Sequence, residues 1–414
     1  MVSELYSNRD LESRIVDEVE QHRDELIRLT QELVRTQSLS GEEGKVAGMV
    51  SEKMRSLGFD DVRTDDVGNV LGSIGGVKDA GSLLFNAHMD HVPPGEMSNP
   101  YSAEVIDGSV FGVSGEVIVG RAASDMKGAL AAMIVAASVL QELGLSLSRR
   151  IIIAAVVLEE ANGLGSRFLA EQGLRLGGVI IGESTELNVA LGHRGSIGAS
   201  ITTEGRSCHA SVPDRGINAI YKMIPILQSI PAAAEKLPSH PVLGMSSMTA
   251  TTISVTPNVK NVVPNLCTVG LDIRNTPNFP PENVLEVLRR IVQLVKTEHP
   301  TMNARVALAR RSVTSYTGYA REFDAMSPPF YTEPETHLAQ MTKRVADRVL
   351  RKESKFKVWS FATDGCYFAN QGIPTVGFGP GEERFAHTLM DNVKVDDLVA
   401  AAKVYAALAT EFCQ

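Results

Sequence analysis

Tryptophan is nearly absent from this 414-residue chain, with Trp359 the only one, and aromatic residues make up just 5% of it. Cysteine is scarce too: Cys208, Cys267, Cys366 and Cys413 lie far apart and form no CxxC pair. In a chain of this length they read as free thiols of a reducing compartment. Positive charge falls short of negative, 40 Lys and Arg against 49 Asp and Glu, for a net charge of −9. That balance argues against a nucleic-acid partner or an anionic membrane surface. The start, MVSELYSNRDLESRIVDE, lacks the basic-then-apolar layout of a secretory signal. No apolar run reads as reaching the roughly 18 residues that span a bilayer. Together these absences predict a cytoplasmic protein without a membrane segment.

What is present fits a globular enzyme with a small-molecule substrate. Hydrophobic residues make up 43% and charged residues 21%, enough apolar material for a sizeable core. The length predicts two or three domains. Apolar residues at helical spacing (Ile15, Val19, Leu26, Leu29, Leu33) predict a helix over 9–36. Ser40 and Glu43 read as a capping box opening a second helix that runs to about Leu57. SLLFNAHMD, RRIIIAAVVLEE and GGVIIGES read as buried strands, with a small-residue helix over 127–143 between the first two. Strands alternating with helices predict an α/β fold with a mostly parallel central sheet flanked by helices. From Ser196 the order becomes β-α-β-β-α-β, with ARVALARRSV as the last strand, the pattern of a ferredoxin-like α+β unit. We therefore expect a first catalytic part at 1–195, an inserted domain at 196–313 and a second catalytic part at 314–414.

Polar residues at the ends of apolar runs form one set: His88, Asp90, Asp125, Glu159, Glu160, Glu183 and, far downstream, His387. Imidazole with carboxylate suits borderline divalent metals such as zinc, cobalt or manganese. Two histidines with three carboxylates exceed the needs of one tetrahedral ion and suffice for two ions sharing a bridging carboxylate. Taken singly, each residue has a plainer reading. His88 would be a structural histidine, Asp125 a helix N-cap, and the Glu159–Glu160 pair a solvated strand end. His91 and His193 stay open between a supporting and a structural role, and His22, His240, His299 and His337 read as surface residues. Cys208 beside His209 suggests a thiol nucleophile only if the metal set is ignored.

Eight ordered segments remove the ambiguity. HMDHVP (88–93), GRAASDMKG (120–128), LEEANGLGS (158–166), GES (182–184), GHRGS (192–196), CHAS (208–211), GFGPG (377–381) and AHT (386–388) resemble the dinuclear metallohydrolases. That family includes acetylornithine deacetylase, succinyl-diaminopimelate desuccinylase, aminoacylase and the glutamate carboxypeptidases. The resemblance implies two divalent ions, zinc first, with manganese or cobalt as alternatives. It implies that His88 and Glu183 hold one ion, Glu160 and His387 the other, and that Asp125 bridges them. Asp90 would orient His88 by accepting its second ring N–H. Glu159 would act as general base and then return the proton to the leaving amine. His209 would stabilise the oxyanion, and Arg274 and Asn261 would hold a substrate carboxylate. The inserted domain, as a lid or dimerisation domain, would join two copies in a homodimer or higher oligomer.

Three departures from the pattern stand out, of which Asp391 and the changed segment concern substrate more than chemistry. Ser184 stands where the family often has proline, and Asp391, in TLMD, stands where glutamate is frequent. The segment 94–123 carries extra residues and no tryptophan. The reaction predicted is hydrolysis of the amide of an N-acyl amino acid or small peptide. The alternatives are the same site acting on another small carboxylated molecule, such as deamination of an aromatic amine, and a catalytically silent binding protein.

Overall fold

The computed structural model describes residues 2–76 and 81–414. The chain opens with helices α1 (Val2–Gln21), α2 (Arg23–Arg35) and α3 (Gly44–Ser56) and strands β1 (Asp61–Thr64), β2 (Val70–Ile74) and β3 (Ser82–His88). It continues through α4 (Gly128–Glu142), β4 (Ile151–Val156), α5 (Leu164–Glu171), β5 (Leu176–Ile181) and β6 (Val189–Ala190). Later come α8 (His337–Leu350), β11 (Phe356–Lys357), α9 (Gly365–Ala369), β12 (Thr375–Gly377) and α10 (Val395–Cys413). Between the two parts lie β7 (Ser196–Glu204), α6 (Ala219–Ala234), β8 (Ser247–Thr256), β9 (Leu266–Arg274), α7 (Pro281–Glu298) and β10 (Ala304–Leu308).

β3 carries Leu83, Leu84 and Phe85 in succession, and β5 Val179, Ile180 and Ile181, because the sheet they enter is covered on both faces. The central sheet runs β1-β2-β4-β3-β5-β12-β6-β11, and its middle strands β4, β3, β5 and β12 are parallel. All seven residues of β3 are buried. α4, rich in alanine, is buried at every position from Gly128 to Leu140, so small side chains let it lie close to the sheet. Parallel strands end at one edge, and there the register sets His88 beside Val156 of β4. The residues after β3, β4 and β5 thus leave the sheet together, at the edge where α/β folds place their sites.

The second sheet is antiparallel in the order β8-β9-β7-β10, with α6 and α7 packed on it around Ile201, Met223, Val269, Leu288 and Ile291. This is the ferredoxin-like arrangement expected. Its edge pairings are also where the structure departs from the reading. ARVALARRSV is not one strand: Ala304–Leu308 joins β7, whereas Arg310–Thr314 turns away to pair with Ala320–Asp324. The chain then returns to β7 at Met326–Ser327, beyond Thr314.

Three further expectations are corrected. The helix over 9–36 is two helices, interrupted at His22, whose ring approaches Glu142 at 3.2 Å. Ser40 and Glu43 form no capping box. The Ser40 hydroxyl donates to Asp90, and Glu43 accepts from the backbone of Gly41 and Leu158. Finally, among the described residues one helical stretch, Ala123–Glu142, is long and apolar enough to cross a membrane by length and composition, but its apolar window is wholly buried in the core.

Candidate metal centre

Two clusters of ligand atoms meet at the carboxyl edge of the central sheet. His88, Asp125 and Glu183 form one, and Asp125, Glu160 and His387 the other. Asp125 belongs to both, and its two oxygens divide between them. Oδ1 lies 3.0 Å from His88 Nε2, and Oδ2 lies 3.1 Å from His387 Nε2. Glu183 Oε1 is 3.5 Å from His88 Nε2, and Glu160 Oε1 is 2.8 Å from His387 Nε2. The set that the sequence collected from five distant segments is one site.

The chemistry of these donors fits divalent ions. His88 donates Nδ1–H to the main-chain carbonyl of Asp90 at 2.9 Å, which turns Nε2 toward carboxylate oxygens; burial tends to lower the ring's pKa, but without an ion those oxygens raise it well above the ordinary histidine range. Acceptors facing one point need a cation between them. Glu183 Oε2 is buried without a partner among the described residues, an orphan of the kind an ion satisfies. Electrostatics agree. Burial and the Asp125 charge push the Glu183 carboxyl up to about 8. Burial tends to raise Asp125, but the bonds from His387 and His88 reverse this and hold it far below the ordinary carboxylate range. Those same partners, Asp125 and Glu160, lift His387 to about 10. Divalent charge would let all three carboxylates stay ionised together.

Glu159 shares the turn after β4 with Glu160 but makes no side-chain hydrogen bond among the described residues. Burial, then the charge of Asp364, raises its carboxyl well above the ordinary range. The backbone here is held in sparsely populated conformations: φ is +59° at Leu158, +81° at Asn162 and +59° at His387. Such residues persist only where their surroundings over-determine them.

That over-determination corrects one expectation and adds a residue. The Asp90 carboxylate does not accept from His88; it sits 3.7 Å from Nδ1, and the ring bonds Asp90's carbonyl instead. Its oxygens take the N–H groups of Glu159 at 3.1 Å and Glu160 at 3.2 Å, plus the Ser40 hydroxyl at 2.7 Å. Glu43, fully buried, takes the Leu158 N–H at 3.0 Å. Three consecutive amides, positioned by the left-handed Leu158, thus point at two carboxylates, a nest that fixes the glutamate pair. Sequence reading missed Glu43 because its partner is 115 residues away and no local pattern encodes that. Asp364 was missed as well. It is buried, accepts from Ser166 at 2.6 Å, and burial pushes it up to about 7.

The remaining residues divide. His193 and His91 are buried neutral rings. Nε2 of His193 accepts from Thr363 N, Nε2 of His91 accepts from Ser38 N, and burial pushes both down to about 4. His22 proves partly buried, grouped with Glu18 and Glu142. His209 and Asn261 lie together on the inserted domain, where a β-bridge joins His209 to Val262 and the Ala210 N–H donates to the Asn261 carbonyl. No hydrogen bond among the described residues links His209 to the metal cluster. Arg274 is tied by its own strand neighbour, with Nε 2.9 Å and Nη2 3.1 Å from the two Asp272 oxygens. The extra segment 94–123 braces the His387 loop. Val113 and Val117 enclose Phe385, two residues before His387, and Glu116–Val119 pairs with Asn392–Lys394 beyond it.

Comparison with known proteins agrees with this geometry. YgeY of Escherichia coli K12, itself uncharacterized, is 30% identical over 401 residues, covering 95% of this chain and 96% of its own. The acetylornithine deacetylase of Myxococcus xanthus is 27% identical over 374 residues, covering 89% and 90%. In fold, the chain is similar to YXEP of Bacillus subtilis, described as a dinuclear metal binding peptidase, with TM-score 0.71, 15% identity and coverage of 95% and 99%. The family of M20/M25/M40 peptidases matches residues 84–411, and its members are hydrolases that use metal ions. This chain belongs to peptidase family M20/M25/M40, and it is a metal-dependent hydrolase.

Proposed function

We propose that this protein is a cytoplasmic homodimeric amidohydrolase that releases an amine from an N-acyl amino acid or small peptide, using two divalent ions. The division of Asp125's oxygens between His88 and His387 is the observation that carries the reading. His88 and Glu183 would hold one ion, Glu160 and His387 the other, with zinc the first candidate and manganese or cobalt acceptable to the same donors. Bound there, the ions supply Lewis-acid polarisation of a carbonyl and acidify a water.

The chain's own groups do the rest. Glu159, its main chain clamped by Asp90 and its carboxyl free of partners among the described residues, takes the water's proton and delivers it to the leaving nitrogen. A raised carboxyl pKa suits such a shuttle, because it must hold the proton between the two transfers. His209 accepts the Ser211 N–H at Nδ1, which leaves its ring proton on Nε2 as a donor for the oxyanion. Asn261, beside it, and Arg274 are the groups proposed for a substrate carboxylate; Arg274 would exchange Asp272 for it.

Dimerisation is supported by β8. This ten-residue strand is the open edge of its sheet, carries no charge or proline, and exposes eight of its residues. Long uncharged edges invite pairing, and Tyr221 and Ile224 of α6 add exposed apolar surface nearby. A second copy paired there would bring its inserted domain close to the neighbouring molecule, a route for His209 to reach a metal centre.

The test is an activity screen with zinc, cobalt and manganese, against N-acyl amino acids, dipeptides and small aromatic amino-carboxylates, read for free amine and ammonia. Amine release from an acyl amino acid or dipeptide supports the proposal. Ammonia from an aromatic substrate with silence across the acyl panel overturns the bond assignment in favour of deamination.

A further inference from the structure

Two residues at which the sequence departs from the family pattern, Ser184 and Asp391, bond the same third residue. Asp391 is fully buried, four positions after His387. Its Oδ1 accepts from Ser124 at both N (3.0 Å) and Oγ (2.8 Å), while Oδ2 accepts from Ala122 N (2.8 Å) and Arg121 Nη1 (3.1 Å). Arg121 also donates through Nη2 to the Thr388 carbonyl, beside His387. Ser124 immediately precedes Asp125, and its carbonyl accepts the Ser184 hydroxyl at 2.9 Å. Ser184 immediately follows Glu183. One buried chain of polar groups therefore ties the segment of His387 to that of Asp125, and that of Asp125 to that of Glu183.

The chain is sealed from above. A Cβ on Gly381 would lie 2.2 Å from Ser184 Oγ and 2.7 Å from the Ser124 carbonyl, so the GFGPG loop packs directly on their bond. A Cβ on Gly379 would lie 2.4 Å from the Glu183 carbonyl. Ser184, Ser124 and Asp391 are each at most 2% exposed. Desolvating a carboxylate and two hydroxyls costs free energy that hydrogen bonds roughly offset rather than exceed. Their return is therefore in position. Each links neighbours of proposed ligands and none is aimed at solvent.

We infer that Asp391, Ser124 and Ser184 are positioning residues that set the relative placement of the two cation subsites, with Ser184 acting on the Glu183 side and Asp391 on the His387 side. The inference rests on the dinuclear reading above. Its test is the stepwise binding of cobalt to the metal-free protein, followed by calorimetry and by the visible spectrum of the bound ion, neither of which requires a substrate. Asp391→Asn should weaken one binding step about 10–100-fold, the usual effect of removing a partner that orients ligands. Ser184→Ala, which deletes one oxygen and leaves the packing, should weaken the other step. The double variant should depart from additivity because both act through Ser124. Wild-type affinities and an unchanged cobalt spectrum in Ser184→Ala and Asp391→Asn, whatever their melting temperatures, would overturn the inference. If Asp391→Asn fails to fold, Ser184→Ala decides alone. Wild-type protein that takes up fewer than two ions would overturn the dinuclear reading itself.

Discussion

At the residue scale, Glu159 and Glu160 show how neighbours of one type can take different roles. Glu160 faces His387 at 2.8 Å, whereas Glu159 has no side-chain partner among the described residues and is raised by burial. Glu159→Gln should therefore keep two ions per chain while turnover falls by about 10²–10⁴-fold, the usual worth of a positioned acid–base group. Metal analysis beside steady-state kinetics checks this, and near-normal turnover would remove the general-base role. His209→Ala should lower kcat by about 10²–10³-fold, as for one oxyanion donor; an unchanged kcat would return His209 to the surface. The proposed ligands were legible because each ends an apolar run in a short motif. Asp90's true partners were not, since they are the backbone amides of residues 69 and 70 positions away.

Elements carried the clearest sequence signals where periodicity was long. The ferredoxin-like order was legible because alternation persists along β9, whose burial alternates residue by residue, and along the first half of β7. ARVALARRSV was misread as one strand because no glycine, proline or asparagine marks a break at Ala309, while the change of partner depends on a hairpin formed with Ala320–Asp324. β8 yields the prediction at this scale. Ile253 is 59% exposed, so Ile253→Lys should change monomer stability by no more than about 0.5 kcal/mol. Placed on an edge, however, the lysine should block pairing between copies. Light scattering should then report about 44.6 kDa, and kcat should fall with the dimer if His209 acts across the interface. A variant that remains dimeric would move the interface away from β8.

At the scale of the whole molecule, stability without ions depends on pH through the metal centre. Without ions, Glu183 at about 8 and His387 at about 10 bind protons more tightly in the folded state than their ordinary values of 4.5 and 6.5. Raised folded pKa values contribute stability at low pH that is lost as pH rises through them. Chelated protein should accordingly lose melting temperature between about pH 4.5 and pH 10, first through Glu183 and then through His387. Bound ions should restore it, by about 2.7 kcal/mol per ion at 100 times its Kd. Scanning calorimetry with and without chelator checks this, and coincident curves would show that no ion is coupled to folding.

By itself, the sequence determined the α/β class, the interruption by a second unit and the residue types that gather at the strand ends. Those follow from local periodicity and from motifs a few residues long. Only the tertiary structure decided that Asp125 divides its oxygens between two histidines and that Asp90 and Glu43 hold the turn of Glu159. Hydrogen bonds across tens to hundreds of residues form only once the sheet brings its strand ends together, and no local pattern records which amide a buried carboxylate will meet.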